Sequence, residues 1–142
     1  MTKKITALLM AALLFVGTAL AVTTDDSLIS PHASDYLDGC AITTTPAGNR
    51  KIVVDYVVYG TGEMTVIGAN KVEIERWDDY SEDWVYDRTL TGSSTYNDVD
   101  HAATVSFYGT RGEQYRALIY AYAKNANGMD TTVYDGSGVY CD

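Results

Sequence analysis

Apolar and polar residues alternate most cleanly within Glu113–Met129. Tyr115, Ala117, Ile119, Ala121 and Ala123 fall on one face, and Arg116, Leu118, Tyr120, Tyr122 and Lys124 on the other. Period-two alternation of this length is the pattern of a half-buried strand. Asn125-Ala126-Asn127-Gly128 then supplies turn residues.

The same pattern, followed along the chain, predicts six more strands. Ser34–Thr45 is the first, and Pro46–Asn49 turns out of it. Arg50–Tyr59 is the second, with Ile52, Val54, Tyr56 and Val58 inward and Asp55 outward. Gly60–Glu63 reads as a turn and Met64–Ala69 as a short apolar connection. Lys71–Trp77 is the third strand, with Val72 and Ile74 inward and Glu73 and Glu75 outward. Asp78–Asp83 is an acidic turn, and Trp84–Leu90 the fourth strand. Thr91–Asp100 reads as a loop. His101–Tyr108 is the fifth strand, with Ala103, Val105 and Phe107 on one side, and Gly109–Gly112 turns into the sixth. Thr131–Cys141 is the seventh, with a bulge or kink at Gly136-Ser137-Gly138. No stretch beyond the N-terminal segment holds a 3.6-residue apolar period. Short strands between turn clusters predict an all-β fold, a seven-stranded antiparallel two-sheet sandwich over residues 34–142.

The N-terminus follows a different pattern. Lys3 and Lys4 precede a nearly unbroken apolar run, Ile5–Leu20, and Ala19-Leu20-Ala21 offers the small residues of a cleavage site. Residues 1–21 therefore read as a secretory signal peptide, too short in its apolar run for a spanning helix of about 20 residues. Residues 22–33, polar and irregular with Pro31, read as a flexible leader. The expected location is outside the cell. Losing Lys3 and Lys4 leaves eight Lys and Arg against 19 Asp and Glu, a net charge of −11. Phosphate backbones and anionic headgroups repel such a chain, so nucleic acid and membrane are not expected partners once the signal is removed. In an exported chain the two cysteines, Cys40 and Cys141, suggest a disulfide tying the first strand to the last.

Candidate chemistry is sparse. His32 lies in the leader, and His101 stands near Asp98 and Asp100, a spacing an acid–base dyad would need. A surface histidine beside aspartates is ordinary, and no nucleophile elbow or His-Glu-x-x-His motif occurs. An enzyme is not expected, nor a cofactor. Asp78, Asp79, Glu82 and Asp83, and separately Asn97, Asp98 and Asp100, group oxygens that calcium would accept. Neither run has the glycine and terminal glutamate of an EF-hand loop, and carboxylates in turns normally face water.

Tyr115-x-Ala117-x-Ile119-x-Ala121, followed by Asn125 and Gly128, resembles the sixth strand of a fibronectin type III or immunoglobulin-like sandwich. Lys71–Trp77, the acidic turn and Trp84-Val85-Tyr86 resemble the third and fourth strands of bacterial domains of that kind. The second strand lacks the tryptophan usual near it. Ser34-Asp35-Tyr36-Leu37 and Gly60–Ala69 (GTGEMTVIGA) resemble an uncharacterised family of short exported proteins of Gram-positive, clostridia-like bacteria. That likeness implies a fold and a location but no site.

Twelve tyrosines against two phenylalanines favour surfaces where one end of the ring stays wet. In a fibronectin-like sandwich the third, fourth, sixth and seventh strands share a sheet. Its outer face would carry Trp77, Trp84, Tyr86, Tyr120 and Tyr122, edged by Glu73, Glu75 and Arg116. The sequence thus predicts a secreted, non-enzymatic binding or adhesion module whose aromatic face takes a glycan or a protein surface. The alternative is a small secreted effector, a toxin or inhibitor, acting through end loops such as Thr91–Asp100. Ordinary cross-strand aromatic pairing, worth about 0.2–1 kcal/mol per pair, would account for the same residues without a ligand.

Overall fold

One strand runs through the whole molecule. In the computed structural model, which describes residues 34–142, β2 extends without interruption from Lys51 to Asp78. It absorbs the second strand expected from the sequence, the Gly60–Glu63 turn, the apolar connection and the third strand. The other strands are β1 (Leu37–Pro46), β3 (Asp83–Thr91), β4 (Ser94–Tyr108), β5 (Gln114–Lys124), β6 (Met129–Asp135) and β7 (Val139–Tyr140). The sequence also expects seven strands, but the number agrees because two differences cancel. Two expected strands fuse into β2, and Gly136-Ser137-Gly138 divides the last one into β6 and β7. The expected signal peptide, leader and His32 lie outside the described residues.

All pairings are antiparallel and belong to a single seven-stranded sheet. The expected division into two sheets gives way to one sheet that curls, because both halves of β2 are hydrogen-bonded through it. Along one edge, β1 pairs the first half (Cys40 opposite Val58, Pro46 opposite Ile52) and β5 the second (Ile67 opposite Ala123, Arg76 opposite Tyr115). Along the other edge, β4 pairs Lys51–Tyr59 and Met64–Gly68, and β3 pairs Lys71–Asp78. β6 and β7 then pair β5.

The curl has identifiable causes. Opposite Asp100 and Asp98, β2 moves from Tyr59 to Met64, so Gly60-Thr61-Gly62-Glu63 bulges out of register. A bulge bends its strand and increases its twist. A side chain at Gly60 would meet the Gly62 carbonyl at 2.9 Å, so glycine permits this turn. A second shift falls at Asn70, between Ala69 and Lys71.

The bend gives β2 a double role in one core. Ile52, Val54, Tyr56 and Val58 from its first half and Ile67, Val72 and Ile74 from its second are all buried with Tyr115, Ala117, Ile119, Ala121 and Ala123 of β5. The inward face expected for β5 is therefore the inward face found. Near Ser34 the edge of β1 closes on β6. Asp130 accepts hydrogen bonds from the Ser34 hydroxyl (2.6 Å) and the Tyr36 amide (2.9 Å), and these lower its pKa. The described residues, 34–142, belong to one compact unit.

The expected loop Thr91–Asp100 is a correction. Only Gly92 and Ser93 separate β3 from β4, and Asn97, Asp98 and Asp100 lie within β4. Their polarity suggested a loop, but ladder pairing to Tyr59 and Met64 recruits them into strand. The disulfide is also corrected: Cys40 and Cys141 are free thiols. Cys40 stands opposite Val58, whereas the Cys141 thiol lies 3.5 Å from the Arg50 carbonyl oxygen. Eight residues along a strand span about 26 Å, far beyond the roughly 7 Å that a bridge allows between Cα atoms. Burial pushes the Cys40 thiol up to about 11.

Candidate functional site

The outer face of the second half of β2 holds the predicted aromatics. Val72 and Ile74 point into the core, so Lys71, Glu73, Glu75 and Trp77 point out. Register then decides what stands beside them. β3 sets Trp84 opposite Trp77 and Tyr86 opposite Glu75. β5 sets Arg116 opposite Glu75, Tyr120 opposite Lys71 and Tyr122 opposite Gly68. Trp77, Trp84, Tyr86, Tyr120 and Tyr122 thus share one face.

They do not form one strip. Trp77 and Lys71 are six residues apart on the strand, about 20 Å. Charged groups occupy the interval, where the sequence placed them at the edge. Arg116 pairs with Glu75 at 2.6 Å and with Asp135 at 3.6 Å, and Lys71 pairs with Glu73 at 2.6 Å. The Glu73 hydrogen bond raises the Lys71 pKa.

The two aromatic ends differ in access. At one, the Lys71 ammonium sits 3.9 Å from the Tyr120 ring centroid and covers that face. The depression beside it, about 270 Å³, is lined by Asn70, Tyr120, Ala121, Thr131, Thr132 and Val133. At the other end Trp77 and Trp84 meet edge to face, centroids 5.5 Å apart at 72°. Trp84 is fixed from above by the Arg116 guanidinium, 4.8 Å from its ring. Its far edge lies against Gly138, where a Cβ would meet the ring at 2.8 Å. Trp84 thus props the site.

Trp77 borders an open depression of about 140 Å³ with Asp79, Gly112, Glu113, Gln114 and Tyr140. Tyr140 is 66% exposed, so its ring remains available. β7 brings it there by pairing Tyr140 with Gln114. Glu113 is held by Arg76 at 3.0 Å, and that contact raises the arginine's pKa. Two aromatic residues, two carboxylates and an amide border this small space, whose lining is mainly polar. Sequence reasoning missed Glu113, Gln114 and Tyr140 as site residues. The available signal was the apolar–aromatic pair Val139-Tyr140 after the glycine interruption.

The other candidates are arranged differently. The Asp78 carboxylate accepts from the Ser81 hydroxyl (2.7 Å) and amide (3.2 Å), which lower its pKa and close the β2–β3 turn. Asp83 accepts from the Trp84 amide at 2.7 Å, and Glu82 takes a positive φ of 51°. No group of three or more His, Cys, Asp or Glu converges as a metal site among the described residues. His101 turns from Asp98 and Asp100 to the Ser93 hydroxyl, 2.8 Å from Nε2, and partial burial lowers its pKa.

Compared with protein-family models, curated proteins and solved structures, the chain matches none. Its chemistry is therefore read from geometry alone.

Proposed function

We propose that this chain is an exported, non-enzymatic binding module of immunoglobulin-like or fibronectin-like character, and that it takes a sugar unit at the Trp77–Tyr140 depression. The observation that carries this reading is the composition of that depression: two aromatic side chains, the carboxylates Asp79 and Glu113, and the amide Gln114 around about 140 Å³. A pyranose presents an apolar C–H face and an equatorial rim of hydroxyls. Aromatic rings receive the first, and carboxylate and amide oxygens accept hydrogen bonds from the second. The negative lining favours neutral or amino sugars and repels sulfated or uronic ones.

Trp84, Tyr86, Tyr120 and Tyr122 take lesser parts. Trp84 props Trp77, and Tyr86, 61% exposed, extends the face toward the charged interval. The Tyr120–Tyr122 end would act as a second, weaker contact for a longer chain.

A glycan array probed with residues 22–142, which retain the whole compact unit, tests the proposal. Trp77→Ala and Tyr140→Ala should each lower binding about tenfold or more, the effect of losing about 1.4 kcal/mol. Tyr122→Ala should lower it less. Neutral glycans bound equally by all variants would refute this site. Binding to sulfated glycans alone would refute its charge logic.

A further inference from the structure

We propose that the free edge of β4 pairs antiparallel with β4 of a second copy, making a two-fold dimer whose sheet runs through both molecules. Among the described residues, β4 pairs with β2 and with no other strand. The local hydrogen bonds define which of its groups are free. The Arg50 carbonyl accepts from the Gly109 amide, while Lys51 bonds toward β1, donating to Gly48 and accepting from Ala47. Lys51 stands opposite Tyr108 without bonding to it, so Ile52 and Phe107 bond each other. The register holds without a shift from there to Tyr59 and Asp100. Phe107, Val105, Ala103 and His101 therefore bond β2. Ala102, Thr104, Ser106 and Tyr108 turn their amides and carbonyls away from it.

This edge lacks the features that normally prevent pairing. Ala102–Tyr108 (AATVSFY) contains no charge, proline or glycine, whereas exposed edges are commonly protected by lysine, proline or bulges. By contrast, β3 carries Arg88 and Asp87 with a register shift at Asp87. On β4 the positive φ of 53° at Asn97 falls before the flat segment begins.

Charge selects a second copy, and selects the antiparallel direction. Arg76, Arg88, Arg116 and Lys71 are in ion pairs. Of the four other cations among the described residues, Arg50, Lys51 and Arg111 gather at the Tyr108 end of β4, beside Asp142, and only Lys124 lies elsewhere. Asp98 and Asp100 stand at the opposite end, and neither joins an ion pair among the described residues. An antiparallel two-fold brings each acidic end to the partner's basic end; a parallel pairing would set like against like. Centred on Thr104, it places Ala102 opposite Ser106 and Asp100 opposite Tyr108, with Lys51 one strand beyond. All the free amides and carbonyls from Ala102 to Tyr108 then find partners.

Sedimentation equilibrium of residues 22–142 tests this with two variants. Ser106→Pro removes an amide that faces the free edge and leaves the bonds to β2 in place. Ala102→Lys adds a charge to the edge at an exposed position. The unmodified chain should dimerise at micromolar concentration, and both variants, folded by circular dichroism, should be monomers. Should Ser106→Pro fail to fold, Ala102→Lys decides alone. A chain that stays monomeric at about 100 μM, or a dimer that survives Ala102→Lys, would overturn the proposal. Glycan binding by a monomeric protein would overturn the dimer and leave the sugar site standing.

Discussion

The two halves of β2 obey the same pleat yet present opposite surfaces. On the outer face of the first half, Val53, Asp55 and Val57 lie between Ala41, Thr43 and Thr45 of β1 and Ala102, Thr104 and Ser106 of β4. This face is flat and small-featured, with a shallow depression of about 380 Å³. Its central ionic group, Asp55, accepts a hydrogen bond from Thr104, and Lys51 stands at its end. On the second half, Lys71, Glu73, Glu75 and Trp77 meet Arg116, Tyr120, Trp84 and Tyr86. Long side chains there hold one another through ion pairs and ring contacts. The difference lies in the strands that register brings alongside. Long, mutually held groups build a face that can bind rigidly. Small ones leave a surface whose interactions fall to its edge.

The strongest way to break the contrast is at the junction, where β3 gives way to β4. A Cβ at Gly92 would meet the Ala69 carbonyl oxygen at 2.1 Å. Gly92→Ala should therefore destabilise both halves together by about 3 kcal/mol, seen as a single cooperative urea transition at lower midpoint. If only β3 loses amide protection, the halves are less coupled than one core implies.

Arg116→Ala should cost less, about 1–3 kcal/mol, because Glu75 is left half-buried without its partner. Asp55→Ala, at an exposed position on the other half, should change stability by about 0.5 kcal/mol or less. Equal losses measured by denaturant unfolding would erase the proposed difference between the faces.

Smaller effects come from acid. The Ser34 and Tyr36 hydrogen bonds hold the Asp130 pKa below its ordinary 3.8, so this clamp contributes fully above that value. Its contribution fades as pH falls through the lowered pKa. Below about pH 4, the protection of the Tyr36 and Leu37 amides, taken relative to the unstructured exchange rate at the same pH, should fall, and Asp130→Asn should flatten that response. His101 has the opposite charge type but the same pH trend. Its folded pKa lies below the ordinary 6.5, so the unfolded chain takes up its proton first as pH drops. Stability should fall slightly from about pH 6.5 downward, and His101→Gln should remove that slope in thermal melts.

Several features were legible locally. Alternation from Tyr115 to Lys124 set both faces of β5, and alternation from Val72 to Trp77 pointed Trp77 outward. The bulge glycines at Gly60 and Gly62 were visible too, but they read as a turn between strands. A turn and a bulge use the same residues; only the partner strand, here β4 continuing from Asp100 to Asp98, keeps the ladder running past them. The same limit hid Tyr140, whose place beside Trp77 depends on pairing with Gln114.

The sequence by itself determined the strand character of most segments, the inward and outward sets of β5 and of the two ends of β2, and the acidic, tyrosine-rich surface. These follow from steric and hydrophobic preferences that act between neighbours along the chain. The bulge at Asp87, which turns Arg88 from the face of Trp84 and Tyr86 to stand opposite buried Ile74, was not legible. Only the tertiary structure decided that two expected strands are one, that Cys40 and Cys141 lie far apart, and that charges divide the aromatic face. Those outcomes depend on register between strands distant in sequence. A shift of one residue there exchanges the faces without altering any local pattern.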